Sequence, residues 1–363
     1  MLLEIISLVP TSLITGQGLW NVLTTAKTAE PEKKSRLSKK RICIVFPSYR
    51  DIVDTIAWSK WSNSIAQIIV VEDMYNGNEA SNKVKILKRD NREGFKAGAL
   101  NLAIDYILKN NIKCDYVFFF DADHIPIKSF DDINDYLDKE VIQFYWDDGR
   151  PFNTSIDYLT YSARYFSNIN DSNRAFKNLS GSAMAININV FKAGFRFPDS
   201  SITEDYALTL ELLKQGIGVD VVPIAISQGA APRTFKAFIK QQSRWAEGTV
   251  RDARLNGLKV KMSLKQRFDW FMQLNIYLQA LWMVMTIVLY LSGLLPNLVA
   301  GILIAIQIIC YYSQLRKAPV KYWLNYFILN YVIMIPQFIA VAKGLLSNDG
   351  YFNRTYKKGN SYD

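Results

Sequence analysis

The stretch DYVFFFDADHIP, Asp115 to Pro126, decides the fold. Its aromatic and β-branched run has the composition of a strand buried on both faces. The run ends in Asp121, Asp123 and His124, the last being the only histidine in a chain of 363 residues. Side chains two apart on a strand point the same way, so Asp121 and Asp123 leave the strand end in one direction. Working outward, RICIVFPSYR (41–50), AQIIVVEDM (66–74) and KVKILKR (83–89) are further short strand candidates, and KAGALNLAIDYILKN (96–110) has helical spacing. Strands alternating with helices predict an α/β domain, its mostly parallel sheet covered on both faces. Ligands of such sheets bind beyond the carboxyl ends of the strands, which is where the two acids stand.

Half of the residues are hydrophobic and only 21% are charged, which excludes a disordered chain. Cys43, Cys114 and Cys310 are far apart in sequence and form no metal or redox spacing, which fits a reducing compartment. A single histidine excludes a His-rich zinc site and leaves only His124 for a Ser-His-Asp triad. The net charge of +10 is concentrated: EKKSRLSKKR (32–41) follows an apolar N-terminus, and LKVKMSLKQR (258–267) precedes a long apolar segment. Basic residues beside apolar segments suit a membrane surface. No stripe of Lys and Arg interleaved with aromatics marks a nucleic-acid binder, so no nucleic-acid partner is expected.

From about residue 255 the composition changes. Segments 268–291, 294–312 and 322–345 are each long enough to cross ~30 Å of hydrocarbon. The sequence therefore divides into an N-terminal membrane-associated helix (1–26), a basic linker (27–40), the α/β domain (41–255), a basic interfacial segment (256–267), transmembrane or interfacial helices (268–345) and a basic tail (346–363). The expected location is integral to the membrane, with the α/β domain facing the cytoplasm.

Three motifs carry chemistry. Asp121 and Asp123 repel each other unless a cation lies between them, and a hard divalent ion could bridge them to a diphosphate. SITEDYALTLELLKQG (201–216) supplies Glu204 and Asp205 ahead of an apolar-periodic helix. Thr203 as N-cap, with acids in the first turn, explains the pair structurally, and capping is compatible with catalysis. APRTFKAFIKQQSRWAEGTVR (231–251) predicts a helix over 233–254 with Gln241, Arg244 and Trp245 on one face. An amide, a guanidinium and an indole together suit a sugar hydroxyl, a phosphate and a sugar ring; Trp245 is also readable as an interface anchor.

DADH (121–124), TED (203–205) and QQSRW (241–245), in this order, with NREGFKAGALN (91–101) upstream and SGSAMAI (180–186) between, resemble the membrane-embedded processive glycosyltransferases of family 2, the cellulose, hyaluronan and chitin synthases. The resemblance covers about residues 41–255. It implies a GT-A (Rossmann-like) fold and an inverting, Mg2+- or Mn2+-dependent transfer from a nucleotide sugar, usually a UDP-sugar, onto a growing polysaccharide. It also implies roles: Tyr49 and Asp51 on the base or ribose, Asp73 on the uracil, Lys96 near the diphosphate, Asp121 orienting the nucleotide and Asp123 holding the metal. Asp205 would be the general base, with Glu204 beside it. Gln241 and Trp245 would meet the acceptor and Arg244 the diphosphate. Glu72 stands where the family more often has Asp. FNRTYKKG (352–359) is similar to the gating loop of cellulose synthases, with Arg354 in place of Val. Three spans would place that segment on the far side of the membrane, so either one of the apolar segments is re-entrant or interfacial, which the basic tail favours, or the gating-loop similarity is accidental. So few spans also leave room for a homo-oligomer. Two alternatives stand beside the polymerase: transfer of one sugar to a polyisoprenyl phosphate or other lipid, and an inactive nucleotide-sugar-binding assembly subunit.

Overall fold

The computed structural model describes residues 12–13, 16, 19–20, 38–74, 77–148, 156–157, 160, 173–299, 301–302, 305 and 323–347. Among them, one sheet is built from β1 (Ile42–Ser48), β2 (Ile65–Asp73), β3 (Val84–Arg89), β4 (Tyr116–Phe119), β5 (Ile125–Pro126), β6 (Val141–Asp148), β7 (Met184–Asn187) and β8 (Asp220–Gly229). The helices that matter to the site are α1 (Thr55–Ser59), α2 (Phe95–Lys109), α3 (Ile188–Lys192), α4 (Glu204–Lys214), α5 (Phe235–Leu255), α6 (Leu264–Asn275), α7 (Gln279–Leu291) and α8 (Trp323–Leu346). The strand order is β3-β2-β1-β4-β7-β6-β8-β5.

The three phenylalanines behave as their alternation requires. Phe118 and Phe120 join Ile42, Ile44, Phe46, Trp58 and Trp61 on one face. Phe119 joins Cys43, Val45 and the Ala97, Leu100 and Ile104 side of α2 on the other. Each fully buried Phe contributes about 1.5–3 kcal/mol, so β4 is fixed from both sides just before its acids begin.

The expectation of a mostly parallel sheet needs correction: the sheet is mixed. Strands β3, β2, β1 and β4 run parallel, but β7 is antiparallel to both β4 and β6. Met184, the first residue of β7, lies opposite Phe119, the last of β4. An antiparallel neighbour begins where its partner ends. The SGS loop (180–182) is thereby delivered to the same edge as Asp121.

The C-terminal half also differs from expectation. Segment 268–291 is two helices, α6 and α7, separated by a 3-10 turn at Ile276–Leu278. The reason is that α6 turns Asp269 and Trp270 onto the α/β domain, and Asn275 onto the start of α7. Trp270 Nε1 donates to the Tyr206 hydroxyl at 2.7 Å. Asp269, buried, accepts from Trp20 Nε1 at 2.8 Å and from the Ala175 amide. Asn275, 1% exposed, accepts from Trp282 Nε1 at 2.7 Å. Helix α8 contains Pro336 and packs along α5, with Ala340 and Val341 against Ala246 and Val250. Among the described residues no helix is long and apolar enough to cross a membrane. Most of 294–312, most of 1–26 and all of 348–363, including FNRTYKKG, lie outside the described residues. Trp20 is 6% exposed beneath the Arg174 guanidinium, 4.3 Å from its ring. Cys43 and Cys114, distant in sequence, are neighbours in space: their hydrogen bond, and then burial, push the Cys43 thiol pKa up.

Candidate active site

The edge formed by the end of β4, the start of β7 and the start of α4 gathers the acids. After Phe119 the chain leaves the sheet in a turn, with the His124 amide donating to the Asp121 carbonyl at 3.1 Å. Asp121 and Asp123 therefore converge through a turn rather than through strand alternation. One ligand atom from each of Asp121, Asp123 and His124 lies within 4.8 Å of the others. Asp123 Oδ2 accepts from the Ala230 amide at 2.8 Å, which ties the turn to the end of β8. Two carboxylates and an imidazole so grouped form a donor set that fits a hard divalent cation.

Lys96, near the N-terminus of α2, holds the centre. Its Nζ donates to Asp121 Oδ1 at 2.8 Å and to the Gly181 carbonyl at 2.8 Å, and lies 3.3 Å from Glu204 Oε1. Gly181 has φ of +83°, and a Cβ there would stand 3.3 Å from Asp205 Oδ2 and 3.6 Å from Lys96 Nζ. Only glycine meets both constraints without strain. Burial alone would lower the Lys96 pKa, but the carboxylates of Asp121 and Glu204 more than offset it and hold the ammonium charged. Burial pushes the Asp205 carboxyl up to about 7, with Glu204 adding to the rise and Lys96 opposing it. Burial lowers the Arg244 pKa while Glu204, Asp121 and Asp205 oppose that shift, so the guanidinium belongs to the same electrostatic cluster. Gln241, one turn earlier on α5, is 6% exposed and its Oε1 has no hydrogen-bond partner. Trp245 is half-buried beside it.

Several supporting residues were not singled out from the sequence. Gln143 of β6 accepts from the Ser180 amide and donates to the Ser182 carbonyl, each at 2.8 Å, and so shapes the SGS loop. Ser182 Oγ accepts from the Asp121 amide at 3.1 Å and lies 3.2 Å from His124 Nδ1. Ser227 Oγ lies 2.9 Å from the same nitrogen. His124 is 1% exposed and works within this polar network. A polar residue inside an otherwise apolar strand, as in VIQFYW, was the available signal.

The expected base-binding side forms around β1 and β2, where Ser48 and Glu72 are paired. The Tyr49 ring lies 3.7 Å under the Arg92 guanidinium. The Asp51 carbonyl accepts from Ser48 Oγ at 2.6 Å and from Asn78 Nδ2 at 3.2 Å. Both oxygens of Asp73 are taken by Arg89, at 2.5 and 2.7 Å. The neighbouring Glu72 is 1% exposed; its Oε1 accepts twice from Asn78, and its Oε2 has no partner. Of the two acids, Asp73 is held by Arg89, and Glu72 keeps one buried oxygen without a partner.

The model of glycosyl transferase family group 2 matches residues 117–336. The chain belongs to that family. Among curated relatives, the N-acetylglucosaminyltransferases of Bradyrhizobium diazoefficiens and Azorhizobium caulinodans are 31% identical over 121 residues and 30% identical over 144 residues. These matches cover 33% and 38% of this chain and only 24% and 36% of those proteins. A probable glucomannan 4-beta-mannosyltransferase 9 of Oryza sativa subsp. japonica is 27% identical over 176 residues, 46% of this chain and 33% of its own length. The chain thus spans about a third or less of the length of these family members. The mannosyltransferase PcManGT from Pyrobaculum calidifontis, solved in complex with GDP-Man and Mn2+, superposes with a TM-score of 0.62 at 14% identity. That match covers 96% of this chain and 100% of the other, and establishes a GT-A-like fold for this member of the family.

Proposed function

We propose that this chain transfers a sugar from a nucleoside diphosphate sugar to a hydroxyl acceptor in a single inverting displacement. The observation that carries the reading is the meeting of Asp121, Glu204 and Asp205 around Lys96, with Arg244 within their field. An acceptor hydroxyl is too weakly acidic to attack an anomeric carbon unaided, so a carboxylate must take its proton as the bond forms. Asp205 is that base: with a pKa of about 7 it is ready both to accept a proton and to release it near neutral pH. Lys96 and Arg244 stabilise the charge that grows on the leaving diphosphate. Asp121 and Asp123, with His124, would hold a Mg2+ or Mn2+, whose Lewis acidity would be supplied to the same phosphate oxygens. Gln241 and Trp245 orient the acceptor sugar.

Tyr49, Arg92 and Glu72 form the base site. The one free carboxylate oxygen of Glu72 accepts a single N–H, which is what uracil N3 offers, so a UDP-sugar is the first donor to test. The solved neighbour carries GDP-Man, which makes that the second. The acceptor is a growing polysaccharide by the QQSRW motif. Transfer to a lipid-linked acceptor is the second reading, favoured by the exposed apolar side chains of Ile287, Val288, Leu291 and Phe338 on α7 and α8, the latter packed against α5. Those same surfaces support a membrane-bound enzyme, and the basic clusters beside the apolar segments are the ground for a cytoplasmic orientation of its catalytic domain. Incubating the purified chain and Mn2+ with a panel of UDP- and GDP-sugars, measuring nucleotide release and sizing the product, tests the reading. High polymer supports the first acceptor and a single-sugar lipid the second; no release with any donor refutes transfer.

A further inference from the structure

Beyond the acceptor face, α5 carries two more buried charges, Arg251 and Asp252, 2% and 3% exposed. Asp252 Oδ2 accepts from Ser201 Oγ and, at 2.9 Å, from Thr203 Oγ1. Arg251 Nη2 donates to the Ser200 carbonyl at 2.8 Å and lies 3.4 Å from Asp252 Oδ1. Ser201 Oγ in turn accepts from the Thr203 amide at 3.0 Å. Thr203 stands at the N-cap of α4, yet its hydroxyl makes no capping hydrogen bond; it is turned toward Asp252. One turn earlier Gly248 leaves no room beside the same threonine, because a Cβ there would come within 2.7 Å of Thr203 Cγ2. Helix α5 therefore grips residues 200–203, which immediately precede Glu204 and Asp205. Stability is a poor explanation for this grip. Burying two charges is costly, and the Nε and Nη1 atoms of Arg251 have no hydrogen-bond partner.

We propose that Asp252, supported by Arg251, is a positioning residue for the Asp205 base. It locks the TED segment to the helix that carries Gln241 and Arg244, so base, diphosphate cation and acceptor amide keep one mutual geometry. The inference rests on Asp205 being the base. A displacement of about 1 Å at a reacting group costs on the order of 100-fold in rate, so the lock should be visible in turnover.

The test compares the full chain with Asp252→Ala, Asp252→Asn and the double variant Ser201→Ala/Thr203→Val, which breaks the same bonds from the other side. Nucleotide release gives kcat and the donor KM, and hydrogen exchange is followed in peptides covering 200–206, β4 and α2. The expected result for Asp252→Ala is a ~10–100-fold loss of kcat with donor KM changed less than about twofold. The Asn variant, which keeps one acceptor oxygen, should be intermediate. The double variant should reproduce the loss, and Asp252→Ala should add little to it. Exchange should rise at 200–206 and stay unchanged in β4 and α2. Wild-type kcat in both Asp252→Ala and the double variant overturns the proposal. So does a uniform rise in exchange across all three regions, which would make the pair a prop for the whole fold. Should the unmodified chain release no nucleotide from any donor, the base assignment fails; exchange confined to 200–206 would still support the lock, and its absence would overturn it.

Discussion

Asp205 ties activity and stability to the same pH window. Its carboxyl is raised from 3.8 to about 7, chiefly by burial and next by Glu204. As a base it must be ionised, so turnover should climb with pH through about 7 and level off above it. Asp205→Asn should lower kcat by about 10²–10⁴-fold while leaving nucleotide binding intact; full turnover in that variant would refute the assignment. The stability sign is opposite. A carboxyl whose folded pKa lies above its unfolded value binds its proton more tightly when folded, so its contribution is most favourable below 3.8 and is lost as pH rises toward about 7. Asp205→Asn should therefore melt at a higher temperature than the parent at pH 8, with the gap shrinking at pH 5. The two acids at the end of β2 separate in a similar way. Glu72→Gln should weaken nucleotide affinity roughly tenfold with little change in melting, because it alters the free Oε2 acceptor. Asp73→Asn breaks a pair whose side chains are 6% and 9% exposed, and should cost about 3–5 kcal/mol of stability. Isothermal titration with nucleotide and thermal melts of both variants distinguish these roles. The sequence put Asp73 on the uracil and left Glu72 without a role; the contact that distinguishes the two acids is with Arg89, sixteen positions from Asp73, and no local pattern announces it.

The elements were more legible than their arrangement. Strands β1, β2, β3 and β4 and helices α2 and α5 fall close to where alternation, helical spacing and Thr or Pro punctuation placed them. The direction of β7 was not legible, since the four residues of a short buried strand carry no mark of orientation. The break between α6 and α7 was hidden for another reason. Segment 268–291 reads as one span on its length and its apolar second half, while Asp269 and Trp270 hold its first half on the α/β domain through Ala175 and Tyr206. The capping reading of Thr203 was reasonable locally and wrong in its partner: tertiary contact with Asp252 outcompetes the local N–H. At this scale Gly248 is the informative position. Gly248→Ala gains helix propensity worth about 1 kcal/mol but forces a Cβ against Thr203. Overpacking of this kind costs about 1–3 kcal/mol. The net expectation is a slightly lower melting temperature together with a disproportionate fall in kcat, since the displaced group leads into Asp205. A variant with unchanged kcat would mean that α4 does not take its register from α5.

For the whole molecule, the net charge of +10 and the distribution of apolar surface point in one direction. Chelating the divalent metal should abolish turnover, and adding back Mn2+ or Mg2+ should restore it, as measured by nucleotide release; metal-independent turnover would remove Asp121 and Asp123 from the metal role. The surface makes a separate demand. Leu264, Leu291, Leu298 and Leu346 are 90%, 77%, 76% and 86% exposed, and Ile287, Val288 and Ile335 on the same C-terminal helices are also bare. Isolated exposed apolar residues need no explanation; this many along consecutive helices are what the proposed membrane attachment rests on. Lys259, Lys261, Lys265 and Arg267 lie along the chain between α5 and α7, so the basic groups are neighbours in sequence of those apolar helices. On the proposed membrane attachment, apolar burial would supply most of the affinity for an anionic lipid surface and basic residues would add about 1 kcal/mol each. In a flotation assay the chain should rise with vesicles containing anionic lipid, bind neutral vesicles more weakly, and lose much of the difference at high salt. Ile287→Asp/Leu291→Asp should abolish flotation in both lipids without altering nucleotide binding, because among the described residues α7 contributes none of the groups around Lys96. If that variant still floats as the parent does, the attachment lies elsewhere in the chain and α7 has another partner.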